Sequence, residues 1–217
     1  MITKEIKLYE YGELSDKAKE NVRQWFMDDP DRGILLSDDF KHSFIEYFFP
    51  RSKLEVQWSL NYCQGDGVNI YGELDMYDML AYIAKWNPEE HSYFKHALDP
   101  RDTLTDKEFE RLCYYRERSG QNIELDYNNR YCYCVSKRTD FATDMIADLE
   151  YLRVRDIDRQ LIVRFQEAIV IPVLENLCDE MADYGYRFLY EISDEEIEDT
   201  CNANGWYFTD TGKFEVA

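Results

Sequence analysis

The chain has 217 residues, with 45 Asp and Glu against 25 Lys and Arg, a formal net charge of −20. That balance makes nucleic acid and anionic membranes poor direct partners, because both would be repelled, and it favours a basic partner. With 45% hydrophobic and 16% aromatic residues, and only nine Gly and five Pro, the composition is that of a folded protein rather than a disordered acidic tail.

No run approaches the roughly 18 apolar residues of a membrane span. The opening residues, Met1 to Lys7, lack the apolar block of an export signal. The expected location is therefore cytoplasmic, where Cys63, Cys113, Cys132, Cys134, Cys178 and Cys201 stay reduced. Cys132 and Cys134 lie two apart in a strand-like segment and face one way, but no second Cys or His pair completes a four-ligand set. They read as small apolar thiols. No cofactor is expected.

In chain order, Ile2, Ile6 and Leu8 alternate with charged residues as a strand would, up to Gly12. Ser15 is a natural N-cap for a helix whose buried face carries Ala18, Val22 and Trp25. A short helix follows from Phe40 to Phe48, and Pro50 ends it. Leu54, Val56, Trp58, Leu60 and Tyr62 alternate with polar residues, and Val68, Ile70 and Leu74 repeat the pattern after the Cys63 to Gly67 loop. This predicts a hairpin with one buried face and Trp58 inside it. A second hairpin is expected from Ile123–Tyr127 to Tyr131–Val135, turning at Asn128-Asn129.

Helices are expected over Tyr77 to Trp86, over Asp106 to Glu117, and from about Thr139 to Tyr184 with a break near Arg153 to Asp156. Within the last, Ala168 to Leu174 is apolar all round, and Pro172 kinks or restarts the helix. A strand near Tyr186 to Tyr190, a helix opened by the Ser193/Glu196 capping box, a stop at Gly205 and a strand from Trp206 complete the chain. The predicted class is α+β: an antiparallel sheet of hairpins covered by helices, in one domain over 1–217, with 1–138 and 139–217 as the alternative division.

Two segments carry a family resemblance. Tyr9-Glu10-Tyr11-Gly12-Glu13-Leu14-Ser15-Asp16-Lys17-Ala18-Lys19 with Tyr62-Cys63-Gln64-Gly65-Asp66-Gly67, and the tail Trp206-Tyr207-Phe208-Thr209-Asp210-Thr211-Gly212-Lys213, resemble a group of uncharacterised phage and prophage proteins, some labelled antitoxin. The resemblance implies a phage origin and action on host machinery inside a bacterium. It supplies no catalytic residue.

Gly-x-Ser-x-Gly, Walker A and Gly-x-Gly-x-x-Gly sequences are absent. Of the three histidines, His42 stands alone, and His91 and His96 are spaced so that a helix would separate them by roughly 140°. The segment Asp28-Asp29-Pro30-Asp31-Arg32-Gly33 fails the EF-hand pattern, because Pro30 and Gly33 fall on ligand positions. Gln64 and Asp66, between glycines, form the one loop that a cation or a partner backbone would suit, unless Asp66 only makes the turn. A metal-dependent enzyme using that loop is the rival from a different class.

The acidic excess is concentrated. From Thr139 to Cys201 there are 17 acids and five arginines, a net of −12, against −8 for the remainder. Asp140, Asp144 and Asp148 are spaced at four, as are Glu175, Asp179 and Asp183, so each trio makes one stripe on a helix. Like charges at that spacing cost about 0.2–0.5 kcal/mol per pair, and Asp179 and Asp183 are expected near a helix C-terminus, where anions are disfavoured. These six residues are the expected partner-binding set, unless the stripes serve only solubility as a solvated charged face. They suggest a non-enzymatic phage protein that mimics DNA phosphates and inhibits a basic, nucleic-acid-handling host protein, such as a CRISPR effector or restriction enzyme. An antitoxin that neutralises a basic toxin would use the same chemistry.

Overall fold

The computed structural model describes residues 6–63, 65–85, 104–126 and 139–215. The second strand of the expected hairpin at 131–135, with Cys132 and Cys134, lies outside them, as do Gln64, His91 and His96. The elements in order are α1 (Asp16–Met27), α2 (Asp31–Asp39), β1 (Lys53–Ser59), β2 (Gly67–Leu74), α3 (Met76–Lys85), α4 (Asp106–Ser119), β3 (Ile123–Leu125), α5 (Phe141–Tyr151), α6 (Arg159–Phe165), α7 (Ile171–Tyr190), α8 (Asp194–Asn204), β4 (Tyr207–Phe208) and β5 (Phe214–Glu215). The class is α+β, with a small antiparallel sheet and a long helical run over 159–190. The chain divides into two compact units, one formed by Met1–Leu36 with Gly185–Ala217 and the other by Ser37–Tyr184. This division does not follow the 138/139 boundary.

The first unit joins the two chain ends. Ser15 caps α1 by accepting from the Ala18 N–H at 3.4 Å, and the buried face of the helix carries Ala18 and Val22. These pack with Tyr11, Leu14, Ile197, Cys201 and Phe208. Trp25 does not join that face. It is 41% exposed, because it turns to stack on Phe214 at the edge of the core. The expected opening strand reduces, among the described residues, to one bridge, with Tyr9 and Phe208 exchanging backbone hydrogen bonds of 2.8 and 2.9 Å.

The β4–β5 turn lies directly on α1. Gly212 has φ +78°, and a Cβ there would fall 2.2 Å from the Ala18 carbonyl oxygen, while Asn21 Nδ2 donates to the Thr211 carbonyl at 2.9 Å. The tail motif is thus a clasp on the N-terminal motif. Tyr11, fully buried, donates to Asp194 Oδ1 at 2.8 Å, and Arg23 reaches the same oxygen. α8 opens with the expected capping box and ends at Gly205 in the left-handed region.

In the second unit the sheet runs β1-β2-β3, antiparallel throughout, with Val56 opposite Ile70 and Trp58 opposite Val68. The hairpin register matches the alternation, but two of its residues differ. Trp58 is half-buried rather than enclosed; its ring meets Phe40 edge-on at 6.3 Å and its indole N–H donates to Ser37 Oγ. Tyr62 leaves the strand, with φ +54° and 70% exposure. Beneath the sheet, buried Asp78 accepts from the Arg51 N–H and the Ser52 hydroxyl, both at 2.8 Å, tying the start of β1 to α3.

The helix expected from Phe40 continues directly from α2, with widened π-type turns over Phe40–Glu46. A second π segment, Gln166–Val170, ends just before Pro172. Proline cannot donate to the carbonyl four residues back, and its ring crowds it; a widened turn upstream lets the helix continue. The break after α5 falls where expected, with Arg153 and Asp156 at φ +55° and +56°. Buried Tyr115 secures it, its hydroxyl accepting from the Asp158 N–H at 2.7 Å. The strand expected at Tyr186–Tyr190 is instead the end of α7. Alternating Tyr186, Phe188 and Tyr190 mimic a strand, but Leu177, Met181, Gly185 and Phe188 continue the helical period.

Candidate functional site

The two acidic trios lie on helices whose other faces are in the core. α5 buries Phe141, Ala142, Met145 and Leu149. Asp140 and Asp144 are exposed, and half-buried Asp148 accepts from Gln121 Nε2. α7 buries Val173, Leu174, Leu177, Cys178 and Met181. At about 100° per residue, Glu175, Asp179 and Asp183 fall on the opposite side, where Asp179 and Asp183 are exposed and Glu175 is half-buried.

Their helical positions differ from expectation. Asp183 lies nearly two turns before the end of α7 at Tyr190, out of reach of the terminal macrodipole, which fades within the last turn. Asp140 is the N-cap of α5 and Asp144 is in its first turn, where a negative charge is favoured. Helix electrostatics therefore accounts for two of the six residues, Asp140 and Asp144.

The Asp66 loop is built differently from a cation site. Asp66 Oδ1 accepts from the Ser59 hydroxyl and the Cys63 thiol, both at 3.0 Å, and Oδ2 from the N–H groups of Asn61 at 2.5 Å and Cys63 at 2.9 Å. Four donors engage the carboxylate, while Gly65 and Gly67 supply positive φ. The same hydrogen bond pushes the Cys63 thiol above its usual pKa. Among the described residues no three His, Cys, Asp or Glu side chains converge as a metal requires. His42 forms an exposed one-turn pair with Glu46 at 2.7 Å.

One grouping was not brought together by the sequence reading. In the first unit Trp25, Phe26, Trp206 and Phe214 wall a cavity of about 260 Å³, with Asp28 and Asp29 among its lining residues. Trp25 and Phe214 are nearly parallel, 13° apart with centroids at 5.2 Å, and Trp206 meets Trp25 at 70° and 5.4 Å. The Trp25-Phe26 pair and the isolated Trp206 were the available signals, but they lie at opposite ends of the chain. Comparison with protein-family models, curated proteins and solved structures finds no match to this chain.

Proposed function

We propose that the chain is a non-enzymatic, phage-encoded inhibitor that binds a basic, nucleic-acid-handling host protein in the bacterial cytoplasm, of anti-CRISPR or anti-restriction type. Its carboxylates stand where phosphates would. The observation that carries this reading is the α7 stripe: three acids at four-residue spacing, set opposite the helix's buried face, in a chain of net charge −20. Arranged carboxylates of this kind steer a basic partner and fix its register. No helix among the described residues is long and apolar enough to cross a membrane.

The test is the triple variant E175Q/D179N/D183N. It is expected to stay folded, which circular dichroism checks. Capture of the basic partner from bacterial lysate, identified by mass spectrometry, is expected to weaken strongly. Wild-type affinity is expected to fall steeply with salt. Unchanged affinity in the folded variant, with a flat salt dependence, removes phosphate mimicry by this stripe.

A further inference from the structure

We propose that the aromatic cavity of the first unit is a seat for an arginine side chain presented by a basic protein. This rests on the proposed function only for the nature of the partner; the seat itself follows from the cavity. At about 260 Å³ it falls below the roughly 300–1,000 Å³ of small-molecule sites and suits a single side chain. Its walls are aromatic and its lining includes two carboxylates, a combination that attracts cations through ring quadrupoles and through charge.

Phe26, Trp206 and Phe214 pack against the buried core of the unit, which holds the cavity wall in place. The interior of this unit is closed by Tyr11, Val22, Ile197 and Phe208, all fully buried, whereas Trp25 remains 41% exposed at the rim. Asp28 Oδ1 accepts from Gln24 Nε2 at 2.7 Å, and Asp29 Oδ1 from the Asp31 N–H at 2.9 Å. One oxygen of each carboxylate is thereby anchored. Arg32 acts on Asp29 electrostatically, while its guanidinium donates to the Phe188 carbonyl and lies 4.9 Å over the Phe188 ring. Arginine is the occupant because a planar guanidinium stacks on an indole while its edge donates in pairs to a carboxylate; an ammonium can do only the second, as a point charge.

The experiment titrates the full chain, labelled at its tryptophan indole nitrogens, with the peptide acetyl-Gly-Arg-Gly-amide and with its citrulline and lysine counterparts. The Trp25 and Trp206 signals, assigned by single Trp→Phe replacements, are expected to shift saturably with the arginine peptide while Trp58 stays still. The citrulline peptide is expected to bind about tenfold more weakly, and so is the arginine peptide to D28N/D29N, which keeps the anchoring acceptors and the fold. Equal binding of citrulline, tighter binding of lysine, or unchanged binding to D28N/D29N overturns the seat. The stripe variant E175Q/D179N/D183N is expected to titrate like wild type. If the peptide fails to bind while that variant still loses the partner, the seat is wrong and the proposed function stands. If the peptide binds while that variant captures normally, the stripe is wrong and the seat stands.

Discussion

Asp66 illustrates how one side chain can satisfy two readings of a sequence until its partners are known. A carboxylate between glycines resembles part of a cation loop, but here both oxygens are filled by donors from Ser59, Asn61 and Cys63. Replacing Asp66 by Ala leaves those donors without an acceptor and is expected to cost about 1–3 kcal/mol in urea denaturation. Partner capture is expected to be unchanged once the variant is folded. Gly212 is a sharper constraint, because its φ is positive and a Cβ would collide with the backbone of α1. Gly212→Ala is expected to destabilise by about 1–3 kcal/mol, with the loss seen in Trp25 fluorescence because the indole packs on Phe214 just beyond the turn. A loss below a few tenths would mean that the turn moves away freely.

At the level of elements, three of the lowered carboxyls sit at helix starts. The Thr105 backbone N–H, Arg164 and the Thr105 hydroxyl hold the Glu108 carboxyl down at about 2, and the Ser193 backbone N–H lowers Glu196 in the same way at the start of α8. Tyr11 and then Arg23 lower Asp194. In each case the folded carboxyl lies below its unfolded value near 4, so the stabilisation is complete above about pH 4 and is lost as pH falls through the folded value. Thermal midpoints are therefore expected to be flat from pH 5 to 7 and to fall between about pH 4 and 2. Glu108→Gln is expected to make that fall shallower; an unchanged slope would show that the cap does not contribute.

The start of α8 was legible in the sequence because its capping box joins residues three apart, Ser193 and Glu196. The hairpin register was legible for a similar reason, since a two-residue period has only two phases. What failed was whatever depended on a partner distant in the chain. Trp25 has the right spacing for the buried face of α1, yet Phe214 draws it aside. Trp58 has the right phase, yet it stays half-buried against Phe40 and Ser37. Tyr186 to Tyr190 alternates like a strand, but a helix already propagating through Met181 continues at little cost, whereas a new strand would need a neighbour to pair with. Of the candidate sites, the acidic spacing was visible at once. The aromatic cavity was invisible, because its walls come from both ends of the chain.

At the scale of the whole molecule, the segments Tyr9 to Lys19 and Trp206 to Lys213 belong to one unit, while Tyr62 to Gly67 belongs to the other. Tyr11 hydrogen-bonds to Asp194 across 183 residues of chain. During synthesis at roughly 5–20 residues per second, α1 would wait about 10–40 s for its partner to emerge, with the faces of Ala18 and Val22 uncovered. The second unit eases the delay: its Tyr184 hydroxyl donates to Asp39 at 2.8 Å, so once folded it begins and ends at nearly the same place. The long loop is then already closed, and most of its entropic cost has been met before the ends meet. A chain truncated before Trp206 would therefore keep the acidic helices of 37–184 but lack two walls of the aromatic cavity, Trp206 and Phe214.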